Sequence, residues 1–235
     1  MSITLVTFDL DDTLWHTAPV IQGAEIALRD WLATHAPRLG PFPPEQLHAI
    51  RQRLVAADPG LAHRISSLRR QVLFIALQEA GYPHAEAQPL AEQAFEVFLH
   101  ARHQVNFFPD AATTLETLAQ RYTLGALTNG NADVRRLGVA DYFSFALCAE
   151  EVGVGKPDPR PFQEALRRGG ASAATAVHVG DNPHDDIAGA LQAGFRAIWY
   201  NPTRQPWQGE SAPHGEIAAL GELPALLAAW SAGDA

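Results

Sequence analysis

Four short runs of apolar residues predict the strands of a parallel α/β sheet. They cover residues 3–8, 122–128, 176–180 and 195–200. The first run is apolar on both faces, as expected for a strand buried in the middle of a parallel sheet. Polar residues follow the first three runs directly. Because ligands of open parallel sheets bind outside the carboxyl ends of the strands, we expect these polar residues to converge.

Between the first two runs the pattern changes to helical periodicity. Apolar residues recur at helical spacing over residues 21–35, 44–57, 68–81 and 85–104, with no strand pattern among them. We therefore predict a Rossmann-like parallel-sheet core of residues 1–18 and 106–235, with an all-helical domain of residues 19–105 inserted into it. In the second core segment the pattern predicts helices over residues 110–120 and 223–230, and coil over 201–214.

Composition limits the compartment and the partners. The chain has 235 residues with 47% hydrophobic content, and its single cysteine, Cys148, excludes an internal disulfide and a cysteine metal cluster. The first residues lack a signal-peptide pattern, and no apolar run is long enough to span a membrane. A net charge of -9 argues against nucleic acid, whose phosphates need a basic surface. We expect a cytoplasmic protein with no membrane or nucleic-acid partner.

The candidate chemistry begins at Asp9 and Asp11, which follow the first predicted strand. Two carboxylates at a strand end suit a metal site, or a nucleophile beside an acid/base group. Taken alone, they also suit a turn or a helix N-cap, where Asp is common. The pair gains weight only from the residues that follow the later strands.

The later strand ends carry matching polar groups. Thr128 and Asn129 offer a hydroxyl and backbone N–H groups that can hold phosphate oxygens, although a turn also explains them. Lys156 stands between two glycines and a Pro-Asp-Pro segment, which predicts a rigid loop. Asp181 follows the third run, with Asp185 and Asp186 close behind; clustered acids there also complement a helix dipole.

The order Asp-x-Asp-x-Thr, Thr-Asn, Lys-Pro and Gly-Asp, with a second Asp five residues later, resembles the four motifs of the haloacid dehalogenase-like hydrolase superfamily. The resemblance covers nearly the whole chain. The helical insertion after the first motif stands where that family carries its C1-type cap.

This resemblance implies a phosphatase mechanism. Asp9 would attack phosphorus to form an aspartyl-phosphate, and Asp11 would serve as the acid and then the base. Mg2+ would be bound by the carboxylates of Asp9 and Asp181 and the backbone carbonyl of Asp11, with Asp186 in support; Asp185 competes with Asp186 for that place. The oxygen ligands of this set suit magnesium.

The resemblance also implies a phosphate site and a leaving-group chemistry. Leu10, Thr128, Asn129 and Lys156 would hold the phosphoryl oxygens. Asp11 argues against the dehalogenase reaction of the family, because a halide leaving group needs no proton. The substrate is therefore expected to be a small phosphorylated metabolite.

Several core segments resemble the bacterial subgroup that dephosphorylates flavin mononucleotide, which is similar to enzymes acting on 5-amino-6-(5-phospho-D-ribitylamino)uracil in riboflavin biosynthesis. These segments lie mostly in the core, whereas substrate choice is expected in the cap. Sugar phosphates and nucleotides remain alternative substrates. A phosphomutase, a dehalogenase and a non-catalytic regulatory module are the competing functions.

Three residues at or in the predicted cap are candidates for substrate binding. His16 and Thr17 stand at its entry, and Arg69 is expected to reach into the site. Arg64 and Arg70, nearby, fit a solvated face. His178 lies within a predicted strand and is interpreted as a core residue.

Overall fold

The computed structural model describes residues 2–41 and 44–233. Met1 and residues 234–235, the ends of the predicted core range, lie outside the described residues. The described chain forms two compact units, which we call the core unit (residues 2–16 and 106–233) and the helical unit (Thr17–Val105). The first helix begins at Thr17, so Thr17 and Ala18 belong to the helical unit and not to the core where they were predicted.

The described residues of the helical unit form four long helices: α1 (Thr17–His35), α2 (Pro44–Ala57), α3 (Ile65–Glu79) and α4 (His84–Arg102). Short 3-10 turns at Pro37–Leu39 and Pro59–His63 flank α2. Among the described residues of this unit, one hydrophobic cluster is centred on buried residues of α1, α3 and α4, and another on Ile50 and Leu68. The four helical segments predicted from periodicity are therefore present, with ends that differ by a few residues.

The described part of the core unit contains one parallel sheet in the order β3-β2-β1-β4-β5-β6. Its strands are β1 (Leu5–Phe8), β2 (Thr123–Thr128), β3 (Phe145–Cys148), β4 (Ala176–Gly180), β5 (Arg196–Tyr200) and β6 (Gly215–Ile217). The predicted fold class, a Rossmann-like parallel sheet with helices and a helical insertion, is confirmed. Strands β3 and β6, at the two edges, were not predicted.

The register of β1, β2 and β4 brings their carboxyl ends together at one edge of the sheet. Phe8, the last residue of β1, lies beside Ala126 of β2 and Val179 of β4. All four residues of β1 are buried. The residues that follow β1, β2 and β4 therefore leave the sheet at the same edge, as parallel pairing requires.

Five helices complete the core unit: α5 (Ala111–Ala119), α6 (Ala149–Val152), α7 (Pro159–Gly169), α8 (Gly189–Gln192) and α9 (Leu223–Gly233). Helix α7 was not predicted; the Asp158 side chain accepts a hydrogen bond from the Arg160 N–H at its start, where Pro159 begins the helix. A π-helical turn, Pro183–Ala188, precedes α8. In the described part of the chain, no helix has the length and apolar character needed to cross a membrane.

Candidate active site

Polar side chains from three strand ends line one small cavity in the core unit, of about 170 Å³. Asp9 follows β1, Thr128 ends β2, and Asp181 follows β4. The complete lining is Asp9, Asp11, Asp12, Thr128, Asn129, Gly130, Lys156, Asp181, Asn182, Asp185 and Asp186. The expected convergence at the carboxyl ends of the strands is thus observed.

The Lys156 ammonium lies at the centre of this cluster. Its Nζ atom is 2.7 Å from Asp9 Oδ1 and 2.6 Å from Asp186 Oδ1, and it donates to the Leu127 carbonyl at 2.6 Å. Burial alone would lower the pKa of Lys156, but the carboxylates of Asp186 and Asp9 outweigh it and hold the pKa above its ordinary value. Lys156 therefore remains a cation although its side chain is almost completely buried.

The Asn129 side chain fixes the backbone of Lys156. Its Nδ2 donates to the Lys156 carbonyl at 2.8 Å, and its Oδ1 accepts from the Lys156 N–H at 2.7 Å. Nδ2 also lies 3.2 Å from Asp185 Oδ2. A Cβ atom on Gly155 would collide with the Asn129 amide, so this close approach requires glycine at that position. Asn129 thus positions the lysine that pairs with Asp9.

Three groups of the core unit contact the Asp186 carboxylate. Besides Lys156, its Oδ1 lies 3.2 Å from His178 Nε2, and its Oδ2 accepts from the Asn182 N–H at 2.9 Å. Burial alone would raise the pKa of Asp186, but Lys156 and His178 keep it below its ordinary value. The carboxylate also lies against Gly180, where a Cβ atom would collide with it.

His178 is completely buried in β4 and joins Asp186 to Thr7 of β1. Burial lowers the pKa of His178, so the ring is neutral and has one N–H. Because a carboxylate can only accept, the N–H is assigned to Nε2, facing Asp186. Nδ1 then accepts from the Thr7 hydroxyl, 2.8 Å away. The predicted core histidine is in the core, but it also contacts the site.

Thr13 lies between two of the carboxylates. Its Oγ1 is 3.4 Å from Asp9 Oδ2 and 3.3 Å from Asp181 Oδ1, and the residue is fully buried. Burial raises the pKa of Asp181 to about 7, as do the nearby carboxylates of Asp186 and Asp12, while the Thr13 hydroxyl opposes the rise. Burial likewise raises the pKa of Asp9, against the effect of Lys156.

Asp11 and Asp12 lie in the turn that follows Asp9, and both line the cavity. The Asp11 Oδ1 atom accepts from Trp15 Nε1 at 3.1 Å. Trp15 is itself buried and packs edge-on against Phe107. Asp12 has a φ of 58°, in the left-handed region, which Asp tolerates better than most residues. The buried indole thus holds the Asp11 carboxylate beside the cavity.

The cluster has the donor set and the charge of a divalent-cation site. Single carboxylate oxygens of Asp9, Asp181 and Asp186 all lie within 4.8 Å of one another. These three acids face one ammonium, so the ionised set has two negative charges more than positive ones. Oxygen ligands and this excess of negative charge fit Mg2+. Asp186, and not Asp185, belongs to this group; Asp185 instead contacts Asn129 and His184.

The remaining predicted site residues lie in different places. Leu10 has a fully buried side chain, so the role predicted for it is limited to its backbone. His16 is exposed in the core unit, and Thr17 begins α1. Arg69 lies in α3 of the helical unit, where it pairs with Glu25 at 2.7 Å and stacks 3.6 Å over the Phe98 ring. The substrate contacts predicted for these residues stay predictions.

Arg64 and Arg70, the neighbours of Arg69 in sequence, also have partners within the helical unit. Arg64 pairs with Asp58, and Arg70 pairs with Glu92 at 2.9 Å. Arg70 also lies 3.8 Å from the centroid of the Phe95 ring. Both side chains stay about a third or more exposed, in line with a solvated face.

Three features of the site escaped sequence reasoning. They are the Thr13 hydroxyl, the contact of His178 with Asp186, and the side-chain role of Asn129. Thr13 had a signal in the sequence, because it lies four residues after Asp9 and one turn can bring the two together. The other two contacts depend on which strands and loops are neighbours.

Fold and site together define an α/β protein with a lysine and aspartate cluster at the carboxyl ends of its central strands. Residues 3–194 match the haloacid dehalogenase-like hydrolase family. The chain belongs to this family, as its four motifs suggested.

The similar proteins differ in their described substrates. The chain is 33% identical to 5-amino-6-(5-phospho-D-ribitylamino)uracil phosphatase YigB of Escherichia coli, over 96% of each chain. It is 34% identical to a phosphoserine phosphatase of Thermus thermophilus, over 93% of this chain and 97% of the other. A solved structure described as 2-haloacid dehalogenase from Pseudomonas syringae pv. Tomato DC3000 is 65% identical, with a TM-score of 0.96 and coverage of 97% and 99%.

Proposed function

We propose that the protein is a Mg2+-dependent phosphomonoester hydrolase that works through an aspartyl-phosphate intermediate. The observation that carries the proposal is the set formed by Asp9, Asp11, Lys156, Asp181 and Asp186 around one cavity. Asp9 is a nucleophile at a strand end, and an acid stands two residues after it. The phosphatases among the similar proteins support the same reaction class.

In the first step, an oxygen of Asp9 forms a bond to phosphorus while the bond from phosphorus to the leaving oxygen breaks. Lys156, 2.7 Å from Asp9 Oδ1, opposes protonation of the nucleophile and provides positive charge for the phosphoryl oxygens. Asp11 gives its proton to the leaving oxygen, so an alcohol departs.

In the second step, water attacks the phosphorus of the aspartyl-phosphate and Asp11 takes one of its protons. The bond between phosphorus and the Asp9 oxygen breaks, which returns the carboxylate and releases inorganic phosphate. Thr128, the Asn129 N–H and the backbone of Leu10 hold the phosphoryl oxygens in both steps.

Asp9, Asp181 and Asp186, with the backbone carbonyl of Asp11, would hold the Mg2+. When bound, the ion would offset the excess negative charge of the cluster and draw electron density from the phosphoryl oxygens. The carboxylates that lie within 4.8 Å of one another support this assignment.

The substrate is a small phosphorylated metabolite. Flavin mononucleotide and 5-amino-6-(5-phospho-D-ribitylamino)uracil are the first candidates, and the similarity to the Escherichia coli enzyme favours the second. A phosphate-release screen over these two esters, sugar phosphates, nucleotides and phosphoserine ranks them by kcat/KM. Flat, low rates would contradict both first candidates.

The Asp9→Asn variant tests the mechanism. Removing the nucleophile is expected to lower kcat by at least about a thousandfold, because no covalent intermediate can form. The variant has nearly the same shape, so its thermal unfolding should still be cooperative. Comparable turnover in the folded variant would overturn the proposal.

Dehalogenation of a 2-haloacid is the second candidate, favoured by the description of the 65% identical structure. Asp11 opposes it, because the departing halide needs no proton, so the acid role proposed for this residue has no use in the first step of that reaction. Halide release from 2-chloropropionate, measured beside phosphate release with the same enzyme preparation, separates the two. Halide release without phosphate release would favour dehalogenation.

A further inference from the structure

A second cavity, of about 500 Å³, lies beside the catalytic cluster within the core unit. Asp12 and Asp181 line both this cavity and the smaller one around Asp9. A phosphoryl group at Asp9 would therefore have the larger cavity next to it. Its volume is typical of pockets that bind small molecules. We call it the core cavity.

Aromatic rings form one wall of the core cavity. His16 lies edge-on to Phe108, with ring centroids 4.5 Å apart, and Phe108 lies 5.6 Å from Tyr200. Phe108 is partly exposed, and Tyr200 is buried at the end of β5. The faces and edges of these rings offer apolar surface to a ligand. A ligand with an aromatic ring can pack against them in the offset or edge-on arrangements that aromatic pairs prefer.

The segment after β5 also lines the core cavity, with Gln205 and Gln208, which carry carboxamides. Asn201 fixes this segment. Its Nδ2 donates to the Gln205 carbonyl at 2.9 Å and to Glu216 Oε1 at 2.8 Å, and its Oδ1 accepts from the Gln205 N–H at 3.0 Å. The segment is coil, as the sequence predicted, but its position is set by these bonds.

The cavity wall is also tied to the proposed metal site. Trp199, at the cavity, donates through its Nε1 to the carbonyl of Asp181 at 2.8 Å. Among the described residues that line the core cavity, none is Lys or Arg, whereas two are Asp. An anionic leaving group would meet no lysine or arginine there, so the lining disfavours a negatively charged occupant.

We propose that the core cavity binds the leaving group of the phosphate ester, and that this group carries no negative charge and has a flat ring face with hydrogen-bonding edges. The inference rests on the proposed phosphatase function. The rings of His16, Phe108 and Tyr200 contact the ring face, and the carboxamides of Gln205 and Gln208 contact its polar edge. Part of the substrate choice then lies in the core unit, outside the helical unit where the sequence placed it.

Two esters separate this role from catalysis in general: 1-naphthyl phosphate, with a flat uncharged leaving group, and glycerol 2-phosphate, which has no ring. Phe108→Ala is expected to raise KM for the naphthyl ester by about tenfold, the equivalent of about 1.4 kcal/mol. Its kcat/KM for glycerol 2-phosphate should change less than twofold. Gln208→Ala tests the polar edge with flavin mononucleotide, where KM is expected to rise about threefold.

The matched control is Phe145→Ala, which truncates another partly exposed ring of the core unit at the far edge of the sheet, outside the cavity lining. It is expected to lower the melting temperature and to leave the ratio of the two KM values unchanged. If Phe108→Ala changed the KM values of both esters by the same factor, so that their ratio stayed as in wild type, the proposal would be overturned.

Equilibrium dialysis with 1-naphthol tests the cavity without any phosphate chemistry. Wild type and Phe145→Ala should bind the naphthol, and Phe108→Ala should bind it at least about fivefold more weakly. Equal binding by all three proteins would contradict the core cavity as the site. Naphthol binding lost with Phe108, together with no phosphate release from any ester, would reject the proposed function but not the cavity.

Discussion

At the scale of single residues, Asn129 shows how a side chain acts through its neighbour. Both of its polar atoms bond the backbone of Lys156. Asn129→Ala removes both bonds, and we expect kcat/KM to fall about a hundredfold because the lysine beside Asp9 loses its fixed position. Steady-state kinetics under saturating Mg2+ measures this loss.

The Asn129→Asp variant tests separately whether the bond from the Asn129 amide to the Lys156 carbonyl is needed. An acid would still accept from the Lys156 N–H, but its second oxygen would face the Lys156 carbonyl and the Asp185 carboxylate. Repulsion there should make Asn129→Asp at least as impaired as Asn129→Ala, although it changes fewer atoms. Better activity in the Asp variant than in the Ala variant would contradict this role.

His178 is expected to position Asp186 for the metal. His178→Leu removes the Nε2 donor, 3.2 Å from Asp186 Oδ1, and leaves the carboxylate with less support. Loss of such a supporting partner typically weakens metal binding by about 10- to 100-fold. Calorimetric titration of the metal-free protein with Mg2+ measures it. The control is Thr7→Val, which removes only the hydroxyl bonded to His178 Nδ1 and should weaken Mg2+ binding less. An unchanged Kd for Mg2+ in His178→Leu would show that His178 does not position Asp186.

The residue scale also shows where sequence reasoning ends. Asp9, Asp11 and Asp181 were identified because they follow predicted strands, and Lys156 because the order of the four motifs resembles that of the family. His178 was interpreted only as a core residue, since its partners Thr7 and Asp186 become neighbours only when β1 pairs with β4. A single sequence contains the residue types but not this pairing.

At the scale of elements, long periodic segments were predictable and short edge strands were not. The four helices of the helical unit and the four longer sheet runs have clear patterns. Strand β3 is a run of only four residues with one of them fully buried, and β6 has three residues, so both are shorter than the apolar runs that predicted the other strands. Helix α7 begins within a Pro-Asp-Pro segment that was interpreted as loop, because Pro159 suits the first position of a helix as well as a turn.

Gly180, the last residue of β4, packs directly against Asp186. Gly180 allows the Asp186 carboxylate to lie against the strand, where an added Cβ would collide with it. We expect Gly180→Ala to lower the free energy of unfolding by about 1–3 kcal/mol, as overpacking does, and to weaken Mg2+ binding. Chemical denaturation with and without Mg2+ measures both effects.

Gly23→Ala is the matched control for that substitution. Gly23 is an exposed residue of α1, and a Cβ there would meet nothing within 4 Å. Because alanine restricts the unfolded chain and favours helix, the control should stabilise the protein by about 0.5–1 kcal/mol. If both variants behaved alike, the contact between Gly180 and Asp186 would not explain the result.

At the scale of the whole molecule, the cluster should make stability depend on divalent cations. The chain has a net charge of -9, and three acids of the proposed metal site stand close together around one ammonium. Mg2+ that binds only the folded protein stabilises it by about 2.7 kcal/mol at 100 times its Kd. For a chain of this length, that gain corresponds to a rise in melting temperature of roughly 5–10 °C.

The control for this last prediction must separate specific binding from screening of the net charge. NaCl at matched ionic strength screens the acids equally well but cannot be held by Asp9, Asp181 and Asp186 as a divalent ion is. Wild type should therefore melt higher in MgCl2 than in matched NaCl, and EDTA should abolish the difference. In Asp181→Asn the difference should largely disappear, because one ligand and one charge are removed. The same rise in wild type and Asp181→Asn would mean that Mg2+ acts on the charge of the whole surface, and not at the ends of β1 and β4.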